Sequence, residues 1–444
     1  MNVSPLVRLL GTAAATLLGA GLLAGCSTDV EPFVPREVAA STPIDPARPC
    51  VRQASLAAQA PKDDPEPSGT KATLSGGVIR VTGGENVTLG ALSRAVGGSA
   101  LREVEDGEWL LSASMEIAPG ASVRIAAPEV NWLKLRSDAT GYTTIKVAGG
   151  GLDVVGSCIT SWDAKARAVD QKPEDGRGFL LARDGGRMDV AWSELRYLGH
   201  GEIESYGLSW RVAGTTGSIT HSVVSHLHFG LYSYEIDGLK VTDNEFHDNA
   251  LYGIDPHTGS RNMTIERNVV HDNGKHGIIL AEDCVDSVIR DNVVYRNAHH
   301  GIVLYQRSDR NVIEGNETFR NTAQGINVNE SHDSVVRGNR VYDNGESGIG
   351  VGQTSARNVV ESNQVRGNGQ DGVRLVSESA DNTVRANTIG DNSRYGVYID
   401  GDGPFDVSDN IIFGSRVGVL TKNTENEPGS NTMHDNTEGD LLAR

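Results

Sequence analysis

Apolar and polar positions alternate in short bursts along most of the chain. Val288-Ile289-Arg290, Val293-Val294-Tyr295 and Gly301-Ile302-Val303-Leu304 are typical, each a brief run bounded by Asn or Gly. Such runs are too short for helices and predict strands joined by tight turns. They recur at a fixed pitch. A Gly followed by an apolar residue stands at Gly207, Gly230, Gly253, Gly277, Gly301, Gly325, Gly348, Gly372 and Gly396, every 23 or 24 residues. An Asn ladder (Asn244, Asn268, Asn292, Asn316, Asn339, Asn363, Asn387, Asn410) keeps the same pitch, and a second Asn ladder follows five residues later, from Asn249 to Asn392. Periods of this size predict a repeat architecture. Three short strands make one coil, Val and Ile fill a continuous core, and Asn residues at equivalent turns bond to one another. The expected fold is therefore all-β, a right-handed parallel β-helix (solenoid) with coils of about 23–24 residues.

The earlier chain fits less regularly. Residues 87–96 have helical spacing and are predicted to form a short N-terminal capping helix over the open edge of the first coil. Strand-like runs follow at Trp109–Ser112, Val123–Ile125, Thr144–Val147 and Leu152–Val155, and the polar stretch 162–176 reads as an inserted loop. Before the repeats, Arg8 precedes an apolar run from Leu9 to Leu23, and Leu23-Ala24-Gly25-Cys26 reads as a lipobox. Residues 1–25 are thus expected to be a lipoprotein signal peptide, with Cys26 lipidated and the protein held outside the cytoplasm on a bacterial membrane. Residues 26–70, rich in Pro, read as a flexible tether. The β-helix is assigned to 71–420 and a loose C-terminal tail to 421–444.

Composition narrows the function. The chain has 53 Gly and 5% aromatic residues, a balance that suits strands and turns. A formal net charge of −18 argues against nucleic acid as a partner. An anionic sugar polymer remains compatible if the groove carries local positive charge. With Cys26 lipidated, Cys50, Cys158 and Cys284 remain; a Cys50–Cys158 disulfide is one possibility and Cys284 reads as a buried free thiol. Zinc-type Cys/His spacing and Gly-Gly-x-Gly-x-Asp calcium repeats are absent from the sequence, so no metal and no cofactor is expected. A monomer is expected.

Candidate chemistry concentrates in Tyr252-Gly253-Ile254-Asp255-Pro256-His257. In a solenoid with coils about 4.8 Å apart, residues at equal offset from the repeat Gly stack in columns. One column reads Ser209, Tyr232, Asp255, Ile279, Val303, Asn327, and another Arg211, Tyr234, His257, Ala281, Tyr305, Asn329. Asp255 and His257 are expected to project outward into one groove, with Pro256 interrupting the pairing between them. Tyr232, Tyr234 and Arg211 lie on the approach side and suit sugar binding. Lys275 and His276, one coil on, offer positive charge or a second proton-transfer group. His247, His271 and His300 read as solvated surface groups.

The hexapeptide resembles the Tyr-Gly-x-Asp-Pro-His-Asp/Glu signature of the mannuronan C5-epimerases, alginate-modifying β-helix enzymes. Gly230-Leu-Tyr-Ser-Tyr-Glu235, Lys275-His-Gly-Ile-Ile279 and the early coil from Gly151 to Asp163 resemble the periplasmic type of that family. The resemblance spans roughly residues 100–400. It implies proton transfer at C5 by His257 and Tyr252, with Asp255 part of the catalytic centre. Two positions depart from it: Thr258 stands where the motif ends in an acid, and Ala281-Glu282 stands where the periplasmic type carries Ser-Arg. That Arg neutralises the substrate carboxylate, so Arg211, Lys275 or Arg307 is expected to substitute.

The leading expectation is C5-epimerisation of a uronate polysaccharide of the mannuronan or alginate kind. A lyase uses the same proton abstraction and then eliminates the 4-linked sugar. A non-catalytic polysaccharide-binding or export protein is the alternative from another class. A pectinase-like hydrolase needs Asp residues on neighbouring coils, whereas Asp255 has Tyr232 and Ile279 beside it in its column.

Overall fold

The computed structural model describes residues 33–39, 43–63, 65–401, 403–422 and 428–443. The chain divides into two compact units, Met1–Ser41 and Thr42–Arg444. In the first, residues 33–39 carry no regular secondary structure. The apolar run 9–23 and Cys26 lie outside the described residues, and no described helix is long and apolar enough to cross a membrane.

The second unit is a right-handed parallel β-solenoid of about 14 turns. Each regular coil contributes three short strands, such as Ile254–His257, Thr264–Glu266 and Val269–His271. Each strand pairs in parallel with its copy one coil on, as Thr264 with Val288 and Val269 with Val293. Three walls result, and the side chains of alternate positions point between them. Ile254, Ile278, Ile302, Ile326 and Ile349 form one wholly buried inner column. Burial of each such side chain contributes about 1.5–3 kcal/mol.

Two Asn ladders run through the buried corners. Asn268 Oδ1 accepts from both the backbone N–H and Nδ2 of Asn244 at 3.0 Å, while its own Nδ2 donates to Val241 O at 2.8 Å and Asn292 Oδ1 at 3.0 Å. The amide is thus fully paired away from water, which a buried polar group requires. The repeat Gly is explained by the same corner. A Cβ at Gly253 would stand 2.5 Å from Val270 Cγ1, 2.7 Å from Gly277 O and 2.9 Å from Asn273 Nδ2.

The helix Leu89–Val96 closes the first coil as expected. Thr88 caps it by accepting from Ala91 N, and Leu89 and Leu92 are buried in the core. Ala168–Val169 turns back on Cys158–Asp163, so the loop after residue 162 leaves the coil and returns to it.

Three readings are corrected. Residues 26–70 are not a free tether beyond about Cys50. A disulfide joins Cys50 to Cys158, the helix Gln53–Ala57 follows, and Gln53 Nε2 donates to Gly156 O at 2.7 Å. A side-chain amide and a crosslink fasten a stretch whose Pro content alone suggested mobility. The tail is not loose either: Thr432–His434 and Leu441–Ala443 pair in parallel with the preceding coil. Finally, His247 and His271 are buried, stack 5.2 Å apart, and bond to Asp248 and Asp272. His300 stacks 5.2 Å from His276. Equal register places like side chains face to face, and His247 and His271 are out of solvent while His300 is half-buried.

Candidate active site

The columns read from the repeat are those of the structure. Tyr232 pairs with Asp255 and Tyr234 with His257, and on the preceding coil Ser209 pairs with Tyr232 and Arg211 with Tyr234. On the following side only Ile254 and His257 have register partners, Ile278 and Ala281. Pro256 has no N–H to donate, and the ladder lapses at Asp255 and Pro256.

Asp255 differs from expectation. Its register position is an outer one, yet it is 1% exposed and neither carboxylate oxygen has a hydrogen-bond partner. Burial pushes its carboxyl well above the usual range; Lys275 opposes that and Glu282 adds to it. Burial thus favours the protonated form of the acid, and the carboxyl has no partner within the protein. Aromatic rings crowd the two coils before it. Tyr206, Phe229 and Tyr232 pack edge-on or tilted with centroids 4.5 to 5.7 Å apart.

His257 stacks on Tyr232 at 5.7 Å. Burial lowers its pKa; Glu282 opposes the shift and Arg211 reinforces it. The imidazole is neutral and can accept a proton. Its Nδ1 lies 2.7 Å from Thr258 Oγ1, which in turn donates to Glu282 Oε2 at 3.0 Å. Burial likewise raises the Tyr232 phenol, so it stays protonated.

Cations flank these groups on both sides. The Arg211 guanidinium sits 5.0 Å from the ring centres of Tyr232 and Tyr234, and its Nη1 is buried without a partner. Lys275 Nζ donates to the Tyr252 phenol at 2.7 Å. Tyr252 stacks 5.4 Å from His276 and packs on an outer apolar strip of Ile279, Ala281 and Val303.

Six of the expected groups (Tyr232, Tyr252, Asp255, His257, Arg211 and Lys275) thus belong to one surface, with Tyr234 and His276 at its edges. Arg307 does not join them. Its guanidinium is held by both oxygens of Asp283 at 2.8 and 2.7 Å, at an exposed turn. The sequence reading missed Thr258 and Glu282 as partners of His257 and treated both only as departures from a motif. The signal was present: both stand five residues after a repeat Gly and so share a column.

His276, His299 and His300 bring one ring nitrogen each within 4.8 Å of one another. The His276 and His300 rings are parallel to within 8°, so their lone pairs run side by side instead of converging. Each Nδ1 also accepts a backbone N–H, from His300 at 3.3 Å and from Gln324 at 3.0 Å. The proton therefore resides on each Nε2, which makes these rings donors, not metal ligands as they stand.

The right handed beta helix region family matches residues 202–332 and 305–437. The chain is 28% identical over 198 residues to the mannuronan C5-epimerase AlgG of Azotobacter vinelandii, covering 42% of this chain and 37% of that protein. It is 32% identical over 198 residues to the mannuronan C5-epimerase of Pseudomonas aeruginosa, covering 42% of this chain and 36% of that protein. The matched segments span little more than a third of the length of these curated relatives. The crystal structure of the periplasmic alginate epimerase AlgG superposes with a TM-score of 0.68 at 20% identity, covering 91% of this chain and 100% of that one. At that identity the likeness is one of fold.

Proposed function

For a chain that belongs to the right-handed beta helix family, we propose C5-epimerisation of uronate residues in a mannuronan- or alginate-like polysaccharide. One observation carries the reading. An imidazole whose pKa burial lowers, a buried carboxyl with no partner whose pKa burial raises, and a buried guanidinium nitrogen with no partner share adjoining columns of one wall. The unpaired donors are what a bound carboxylate would satisfy.

The C5 proton of a uronate is weakly acidic until its carboxylate charge is offset. Arg211 Nη1 and the Asp255 O–H donate to that carboxylate. As the C5–H bond breaks, its electron pair moves into the carboxylate, and these donors stabilise the enediolate. His257 accepts the proton on one face of the ring. Tyr252 returns a proton to C5 on the opposite face, and Lys275, already bonded to its oxygen, stabilises the phenolate left behind. Both side chains then re-equilibrate with solvent. Tyr234 and His276 extend the surface for neighbouring sugar units.

The same reading includes export and a lipid tether at Cys26. The Cys50–Cys158 disulfide supports an oxidising, extracytoplasmic compartment, and the structural neighbours are described as periplasmic. A Cys26→Ser chain found in the membrane fraction as before would count against the tether.

The test is proton NMR of polymannuronate and related uronans incubated with the protein in deuterated water. Deuterium at C5 with inversion supports epimerisation. Absorbance from an unsaturated uronate would instead identify a lyase, and no exchange on any uronan would sink proton transfer at C5.

A further inference from the structure

His257 can act as a base toward substrate only if the nitrogen facing the groove is the unprotonated one. Its Nδ1 edge has two competing neighbours. The backbone N–H of Thr258 donates to Nδ1 at 3.0 Å and by itself favours the proton on Nε2. Thr258 Oγ1 lies 2.7 Å from the same Nδ1 and donates onward to Glu282 Oε2 at 3.0 Å. With its hydrogen committed to the carboxylate, the hydroxyl oxygen can only accept from Nδ1–H. The Oγ1–H···Oε2 bond is the charge-assisted one, and by donating there the hydroxyl oxygen becomes a better acceptor for Nδ1–H, at a shorter distance than the backbone contact. The relay therefore outweighs the backbone contact.

We propose that Thr258 and Glu282 form a hydrogen-bonded relay that fixes His257 in its Nδ1–H tautomer and leaves Nε2 as the base. The inference rests on the reading of His257 as the base at C5, and it deepens that reading by adding two positioning residues.

The local structure is arranged for the contact. Thr258 stands at φ 20°, an uncommon backbone for a β-branched residue. Ser260 Oγ donates to His257 O at 2.9 Å and ties down the turn that carries the hydroxyl. Thr258 and Glu282 occupy the same position on successive coils, and Glu235 N also donates to Thr258 O across that column at 2.9 Å. Glu282 Oε2 is itself 3.9 Å from Nδ1, close enough to stabilise the imidazolium formed after proton abstraction. The other charged or titratable groups around the ring are Arg211, whose charge opposes protonation, Tyr232, which stacks on its face, and Tyr234, its register partner on the preceding coil.

This arrangement also accounts for both departures from the motif at once. The acid that the motif places directly after the His is supplied here from the next coil, with Thr258 as the bridge. The cost is a carboxylate where a cation would otherwise offset substrate charge, which leaves that task to Arg211, Lys275 and the neutral Asp255.

The experiment uses the full chain with 15N-labelled histidine, the His257 resonances being assigned by their loss in His257→Gln. The relay predicts Nδ1–H and a bare Nε2 in the wild type, with the proton moving to Nε2 in both Thr258→Val and Glu282→Gln. Thr258→Ser keeps the wild-type tautomer. On a uronan that the wild type turns over, Thr258→Val and Glu282→Gln slow C5 exchange about tenfold or more. In Glu282→Gln the acid limb of kcat/KM also moves to lower pH, because an anion beside the imidazole has been removed. A wild type already protonated on Nε2, or a tautomer unchanged in both variants, overturns the relay. These spectra need no substrate, so a wild type that exchanges no C5 proton counts against the proposed reaction alone.

Discussion

Lys275 Nζ donates a 2.7 Å hydrogen bond to the phenolic oxygen of Tyr252 from one coil further along the solenoid. An acid that must lose its proton during turnover gains from a cation at its oxygen, because the phenolate is then stabilised where it forms. Tyr252→Phe is expected to reduce C5 deuterium exchange by about 10²-fold or more. Lys275→Met should lose less, with the deficit falling mainly on kcat. A Tyr252→Phe chain that exchanges at the wild-type rate would remove Tyr252 from the reaction.

Arg211 presents a buried donor with no partner between two tyrosine rings. If it clamps the substrate carboxylate, Arg211→Ala should raise KM and lower kcat together, since the same contact tightens as charge develops. Arg211→Lys should recover only part of the loss, because a point charge cannot reproduce a planar fork of donors. Steady-state rates on a defined uronan separate the two. Normal turnover by Arg211→Ala would leave Lys275 and Asp255 as the carboxylate's only partners.

Asp255 should stabilise the fold less than its own neutral isostere does. Its folded pKa lies well above 3.8, so its contribution is fully present below that value and is lost as pH rises toward the folded one. Asp255→Asn is therefore expected to raise the Tm near pH 7 while abolishing exchange. The gain should shrink toward zero below pH 3.8. Thermal scans at both pH values check this, and an equal shift at each would show that charge is not the cause.

His276 and His300 titrate in the other direction. Burial first, and neighbouring imidazoles after it, lower them from 6.5 to about 2 and about 3. Their contribution is fully present above pH 6.5 and is lost as pH falls through that value toward the folded ones, because the unfolded chain binds the protons first. The double variant His276→Gln/His300→Gln should lose less Tm than the wild type between pH 7 and about 4. Parallel Tm-versus-pH curves for the two chains would refute this assignment.

Much of this arrangement could be read from spacing alone. Counting from Gly253 puts Asp255 beside Tyr232 and His257 beside Tyr234, and those pairs are in register in the folded chain. A parallel solenoid converts sequence offset directly into position, which few folds do. Burial was not legible in the same way. Asp255 occupies an outer position and is nonetheless covered, and periodicity does not record what lies over an outer position. Arg307 had the right charge, yet Asp283 one coil before it captures the guanidinium. Thr258 and Glu282 were hidden for a different reason. Comparison with a motif marks such residues only as mismatches, whereas the column count pairs them.

The Asn ladders offer the sharpest test of what holds the coils together. Asn292 is wholly buried; its Oδ1 accepts from Asn268 N at 2.9 Å and Nδ2 at 3.0 Å, and its Nδ2 donates to Ile265 O at 3.0 Å and Asn316 Oδ1 at 2.9 Å. Asn292→Ala strands two donor hydrogens, on Asn268 N and Nδ2, and takes one donor from each of Ile265 O and Asn316 Oδ1, the latter keeping the backbone N–H of residue 292. Each stranded group costs about 1–3 kcal/mol, less whatever a water in the new space recovers. Arg310→Ala breaks a two-pronged pair with Asp286 at 2.8 Å, but at an exposed turn where the freed carboxylate is solvated. The second change should leave the urea midpoint near the wild-type value, while the first lowers it clearly. Equal midpoints for the two variants would mean that the ladder follows the stacking of the coils instead of securing it.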